Sequence, residues 1–458
     1  MADGLDQEKL TAFFCELTPA ARARLSAAIS SPAGAQIPFR DVILEPLLQA
    51  QRRLGEIPEL VAPEQLLLAV IDPFTVADDS RNKTSGIISK TSRDRLAQWL
   101  VTTGAPDLVQ ELGRRLEGNL DKDAQDTAVD QIQDQLVPLL TEVLQRAETA
   151  KTRNRLAAQL GGDSGAEDLQ DLIVALRRRA LLEKFAAETH APSGPVEEAL
   201  KAIKARLDPV AIKYPDALSF ALVLIRQKLP NPQTFVRLAA VAVETIDGGR
   251  IVETPYVRIL DLALSEAERE HSSARRNTST NERPAFLKAV RTFGATARAL
   301  GTEIDLPPDG PHARKLATLR SEMAECVRSD LQDLSPRVRR LVRPRDKERN
   351  FEEHEVTRLL ADIDLLLIAR SYAEEIALNA LSGRVYSEVK DLLDTGIPQL
   401  MERFRAANEK QKPDLRDRLK SIAKVSAKIF GEEYAQTLTK AISVAGQGPT
   451  PQPQARSA

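Results

Sequence analysis

Apolar residues recur at spacings of three and four along almost the whole of this chain, with Arg, Lys, Glu and Gln between them. That period places one apolar face inward on each of a long series of helices. Val129, Ile132, Leu136, Leu139 and Val143 form one such row, and Leu169, Leu172, Ile173, Leu176 and Ala180 a second. Near the C-terminus Leu415, Leu419, Ile422, Val425 and Ile429 form an inward row, which leaves Lys420, Lys424 and Lys428 on an outer one. Ala217–Ile225 and Leu365–Ala369 are apolar on nearly every side, so both are expected to be enclosed by other helices.

The helix starts are marked by proline, whose missing N–H costs nothing in a first turn. Pro19, Pro38, Pro63, Pro106, Pro195, Pro232, Pro284, Pro311, Pro336 and Pro413 all stand near the head of an apolar row. Pattern and punctuation together predict helices at about 5–16, 18–30, 38–54, 62–72, 92–103, 105–117, 122–137, 138–160, 166–189, 195–207, 216–229, 231–245, 254–270, 284–300, 310–333, 336–343, 352–380, 384–410 and 413–442. Pro138 interrupts the first row above and predicts a kink or break, because it removes one ladder bond and crowds the preceding turn. Strand signals are scarce. The best is Val243–Thr254, where Asp247-Gly248 fits a hairpin turn, but the apolar row ending at Val243 favours helix, loop and helix.

The fold class that follows is all-α, a multi-helix array of antiparallel helix pairs, solenoid-like in part. The expected organisation is an acidic helical region at 1–190, apolar central helices at 195–270, a basic-leaning helical region at 284–445 and a disordered tail at 446–458. The polar stretch His271–Arg283 is the best linker. One internal echo appears: Thr91–Ala97 followed by Gly104–Leu108 resembles Lys151–Ala157 followed by Gly165–Leu169. Each copy has a Ser/Thr cap, an arginine-rich first turn, a glycine stop and a new helix.

Composition narrows the picture. Aromatics are only 4% of the 458 residues, so the core must be built from Leu, Ala, Val and Ile. The net charge of −2 carries no global nucleic-acid or membrane signature. It is unevenly spread, however. Residues 1–170 hold 18 Lys/Arg against 26 Asp/Glu, and the remainder 46 against 40. Cys15 and Cys326 both sit in apolar helical contexts, as expected of buried thiols in a reducing compartment. The opening residues lack the basic and apolar regions of a signal peptide, and no apolar run approaches the ~20 residues of a membrane span. The expectation is a cytoplasmic protein with no transmembrane segment.

Concentrated chemistry is hard to find. The phosphate-cradling P-loop, the dinucleotide-binding glycine motif, the nucleophile elbow and paired cysteines do not occur. His190, His271, His312 and His354 are scattered. His354 has acidic neighbours, but Glu352, Glu353 and Glu355 point successively around a helix and read as an acidic helix start. Asp121, Asp123 and Asp126 lack the central glycine and terminal Glu of a calcium loop. No catalytic residue, cofactor or metal site is predicted.

The sharpest local feature is Ser335–Arg349. Ser335 and Pro336 would begin a short helix carrying Arg337, Arg339, Arg340 and Arg343, and Arg345, Lys347 and Arg349 follow Pro344. Guanidinium forks match phosphate, so these seven residues are the candidate anion- or partner-binding site. Against that reading, no aromatic is interleaved for base stacking, and acidic groups from Glu352–Glu355 and from the N-terminal third compete for the same forks. The function expected is therefore a non-catalytic interaction or scaffold protein with protein partners. The alternative is a binder of nucleic acid or another phosphate-bearing partner through residues 337–349.

Overall fold

The computed structural model describes residues 7–30, 43, 46–47, 49–51, 54, 61–77, 83–116, 122–147, 149–191, 194–277, 282–343 and 352–446. The chain is an all-α array. It opens with α1 (Gln7–Glu16), α2 (Pro19–Ser30) and α3 (Pro63–Leu68), then a 3₁₀ stretch (Ala69–Phe74) and two short strands, β1 (Thr75–Val76) and β2 (Ile88–Ser89). α4 (Lys90–Trp99), a π turn (Leu100–Gly104), α5 (Pro106–Leu116), α6 (Lys122–Arg146), α7 (Ala150–Leu160), α8 (Asp163–Arg177) and α9 (Arg179–Glu188) follow. The middle is α10 (Val196–Lys213), α11 (Leu218–Lys228), α12 (Pro232–Val243), α13 (Gly248–Val252), α14 (Val257–Arg276) and α15 (Arg283–Glu303). The chain closes with α16 (Pro311–Val342), α17 (Glu353–Ser371), α18 (Asn379–Ala406), α19 (Lys412–Phe430) and α20 (Glu432–Gly446). The two strands pair in parallel, Thr75 with Ile88 and Val76 with Ser89, and an isolated parallel bridge joins Asp247 to Asp305.

Two compact units divide these elements. The first takes Met1–Ala69 and Leu100–Ile132. Phe14, Ile29, Leu47 and Ala50 form a small core there, with Leu10, Cys15, Leu17 and Ile43 packed on it; elsewhere in this unit α3 packs on α5. The second takes Val70–Trp99 and Gln133–Ala458, so the division falls inside α6. Its centre is layered. α17 packs on α15, α16, α18 and α19, and its Leu359, Ile363, Leu365 and Leu366 are buried. α11 is likewise enclosed by α9, α10 and α14, with Phe220, Ala221, Leu222 and Ile225 buried. Both all-round apolar segments are thus covered by neighbours, because no single face could bury them.

Proline punctuates most starts as expected. Pro19, Pro63, Pro106, Pro232, Pro284, Pro311 and Pro413 stand in first turns, and Pro195 caps α10. Pro38 lies outside the described residues. Two expected helix boundaries do not occur: Pro138 lies inside the continuous α6, so the helix does not break there, and Pro336 lies inside the continuous α16, so Ser335 begins no separate helix. Each proline forfeits one hydrogen bond. Fully buried Leu136 and Leu140 bracket the first, and Leu334 and Val338 the second, so breaking the helix would misplace core residues on both sides. Conversely, the helices predicted at 166–189 and 413–442 each divide, at Arg178 and at Gly431. The one predicted at 352–380 ends at Ser371. α14 runs on to Arg276 and buries His271 and Ala274, further than its polar composition suggests.

Val243–Thr254 is helix, loop and helix. Glu244 adopts the left-handed conformation that ends α12, and the Asp247 carboxylate accepts the Gly249 N–H at 2.8 Å to cap α13. Gly248 is required at this point because a Cβ would lie 2.8 Å from the Asp305 carbonyl. In the echoed segments the Ser89 hydroxyl accepts from the Ser92 N–H at 3.0 Å, and Thr149 from the Thr152 N–H at 3.3 Å, so the caps correspond. The stops do not: Gly104 closes a π turn, whereas its counterpart Gly165 lies inside α8 and α7 ends earlier, on left-handed Gly161.

Candidate functional site

The C-terminal end of α16 presents Arg337, Arg339, Arg340 and Arg343 over two turns. Val338, Leu341 and Val342 are buried, which fixes the arginines on the other faces. Arg337 turns inward and binds the Asp362 carboxylate of α17, with Asp333 at 3.6 Å. Arg340 meets Glu355 at 2.6 Å, and Arg343 donates to the Thr395 hydroxyl at 3.1 Å. Arg339 is exposed. The remaining candidates, Arg345, Lys347 and Arg349, lie outside the described residues. The acidic partners seen here come from α16 and α17 rather than from the N-terminal third, because packing brings those helices alongside.

Arg418 of α19 explains much about this end. Its guanidinium is buried and donates to the carbonyls of Arg340 and Leu341 at 3.0 and 3.3 Å, where α16 leaves acceptors unpaired. The same use of arginine recurs. Arg22 is buried and donates to the Phe14, Cys15 and Leu17 carbonyls at the end of α1. Arg95 reaches the Gly161 carbonyl after α7 at 3.0 Å, Arg206 the Glu188 carbonyl ending α9, and Arg298 the Ser371 carbonyl ending α17. A planar fork with five donors suits a ring of outward carbonyls, and its charge suits the negative end of the helix dipole.

Three further groups of charge tie distant parts of the chain together, the first two of them enclosed. Arg283 lies 2.6 Å from Asp330 and binds Asp362, which also takes Arg337, so one knot joins α15, α16 and α17. Burial, outweighing both arginines, raises the Asp362 carboxyl above its ordinary range. Lys83 stands 2.6 Å from both Asp168 and Asp171 and pins the segment before β2 onto α8. Asp171 also accepts the Gly86 N–H at 3.0 Å, yet burial outweighs Lys83 and raises its carboxyl too. Arg298 grips Glu375 with two hydrogen bonds and stacks on Tyr372 at 4.5 Å. Burial alone would raise the Glu375 carboxyl, but the arginine fork brings it below its ordinary value.

His354 is exposed beside Glu352, and Glu352 with Glu355 forms a capping box at the head of α17, the acidic helix start expected there. Asp123 and Asp126 occupy the first turns of α6, and Asp121 lies outside the described residues. Among the described residues no group of three His, Cys, Asp or Glu is placed to hold a metal ion. No described helix is long and apolar enough to cross a membrane. Both cysteines are free and half-buried, and burial raises the Cys326 thiol. Compared with known protein families, with curated proteins and with solved structures, the chain matches none.

Sequence reasoning singled out the arginines of α16 but missed Arg418, the Arg283–Asp362 knot and the Lys83 clamp. Arg283 and Asp362 are 79 positions apart, so no local pattern joins them. A lone charge within an inward apolar row is the one available signal. Asp362 beside Ile363 carries it, and so does Arg418 beside Leu419.

Proposed function

We propose that this chain is a non-catalytic interaction or scaffold protein whose helical faces serve protein partners. The observation that carries the reading is where its charged chemistry goes. Guanidinium groups that could receive a phosphate are engaged instead on helix ends, as Arg22 and Arg418 are, or on buried carboxylates, as Arg283 and Arg337 are. Charge spent in this way stiffens an array and leaves outer faces for contact. Large apolar side chains are exposed, among them Ile212 on α10 at 79% and Ile246 in the loop after α12 at 64%.

The test is affinity capture from native lysate of the source organism, with and without nuclease. Protein partners retained after nuclease treatment, and lost with an Ile212→Asp or Ile246→Asp variant, support the proposal. Recovery of nucleic acid alone, lost in an Arg339→Ala/Arg343→Ala variant, overturns it and promotes the phosphate-directed alternative.

A further inference from the structure

Two of the four histidines lie on one helix seam. α14 and α16 run parallel there, because contacts advance in step along both: Asp261 with His312 at 2.9 Å, Glu268 with Lys315 at 2.8 Å, then His271 with Glu322 at 3.5 Å. The two histidine contacts are not alike. His312 sits against a half-exposed carboxylate within hydrogen-bonding distance. The His271 side chain is only 7% exposed, and its Nε2 has no hydrogen-bond partner among the described residues. A buried nitrogen of this kind is tolerated as a bare acceptor. As a charged N–H with nothing to receive it, it is expensive.

From this geometry we propose that His271 is an acid-sensitive latch: its protonation releases the last turns of α14, Glu268–Arg276, from α16. The charged groups acting on it are Glu322 of α16 and, on α14 itself, Arg275 and Glu268, the last held by Lys315. Glu325 and Cys326 of α16 lie close to the same cluster. α15 brings Arg283 toward this end of α14, but Asp330 and Asp362 hold it. Burial dominates these influences, and the neutral ring is favoured while the latch is closed. The sign follows. The closed state binds a proton less readily than the open one, so closure is fully favoured above about pH 6.5 and weakens as pH falls below it.

Hydrogen exchange of the full chain at about pH 7.5 and about pH 5.5, corrected for intrinsic exchange rates, tests this. Peptides covering 268–276 should lose protection by up to about tenfold at the lower pH, the limit for a closed ring that takes no proton one unit below an ordinary histidine. His271→Gln should abolish that local loss. Glu322→Gln removes the carboxylate that favours the charged ring, so its loss should be larger, or should go on growing to lower pH. Glu322 is half-exposed, so this second variant decides the matter if His271→Gln fails to fold. Protection in 268–276 that does not depend on pH, the same dependence in His271→Gln, or a smaller loss in Glu322→Gln overturns the proposal.

Discussion

Replacing Asp362 by Ala should be the most damaging single change to the charged groups of the larger unit. The carboxylate is 1% exposed and accepts from Arg283 and Arg337 at once, so it ties α15 and α16 to α17. Removing it strands Arg283, whose side chain is 9% exposed and sits over Phe286 at 4.7 Å. Breaking a buried pair by deleting one partner costs about 3–5 kcal/mol, because the other charge stays behind unpaired. Asp330 still holds Arg283 at 2.6 Å, which sets the expectation at the lower end, about 3 kcal/mol.

The control is Arg340→Ala. Its pair with Glu355 is as short, at 2.6 Å, but the side chains are 42% and 32% exposed, and about 0–1 kcal/mol is expected. Urea unfolding followed by far-ultraviolet circular dichroism compares the transition midpoints, with the two compact units fitted as separate transitions. The variant lacking both Arg283 and Asp362 should lose less than the two single losses together, by at least about 0.5 kcal/mol. Equal costs for Asp362→Ala and Arg340→Ala, or strict additivity in the cycle, would refute the knot as a coupled unit.

Other expectations follow from packing and charge. A Cβ on Gly294 would lie 2.4 Å from the Tyr372 ring, so Gly294→Ala should destabilise by about 1–3 kcal/mol in the same unfolding assay, whereas at Gly383, helical with open space around it, Ala should stabilise by up to about 1 kcal/mol. Ile422→Asp should cost about 3 kcal/mol or more, since Ile422 is fully buried, and Lys424→Ala should stay within about ±0.5 kcal/mol; similar costs would mean the faces of α19 are misassigned. Fluorescence anisotropy with short duplex DNA or RNA at physiological salt should give a dissociation constant no tighter than the ~10⁻⁴–10⁻⁶ M of non-specific binding; a sub-micromolar value lost in an Arg337/Arg339/Arg340/Arg343→Ala variant would contradict the interaction-protein proposal.

Helix identity and facing were largely readable from the chain. Leu419, Ile422 and Val425 are buried and Lys420 and Lys424 exposed, as the row predicted. Lys428 departs from it: the helix brings this residue beside α17, and its ammonium meets Asp364 at 2.6 Å. The helix limits were less readable, because a stop is decided by what lies on either side in space. The prolines at 138 and 336 signal breaks locally, and burial overrules them. The stop at Gly431, a glycine of positive φ followed by Glu432 and Glu433 in the next first turn, was missed because the apolar row running past it masked the signal. The candidate site was legible only as residue types. Where its guanidinium groups point depends on Asp362, Glu355 and Thr395, and the last of these comes from a helix more than fifty positions later.

The use of arginine also changes what its abundance means. A chain made of many short-looped helices has many C-terminal ends, and each leaves four carbonyls without helical partners. Glycine stops satisfy some, as Gly161 does for α7. An arginine from another element can satisfy several at once while bringing positive charge to the negative pole, as Arg22 does on two carbonyls of α1 and that of Leu17 just past it, and Arg418 on two of α16. Lysine cannot substitute well, since its ammonium is a strongly hydrated point charge with no fixed fork. Arginine density along a helical sequence therefore tracks the number of ends to be closed as well as any anionic partner. What separates the two uses is burial of the guanidinium. Arg22 and Arg418 are buried, which marks them as structural; Arg339 is exposed, and of the four described candidate arginines, Arg337, Arg339, Arg340 and Arg343, it is the position from which a phosphate contact would have to be built.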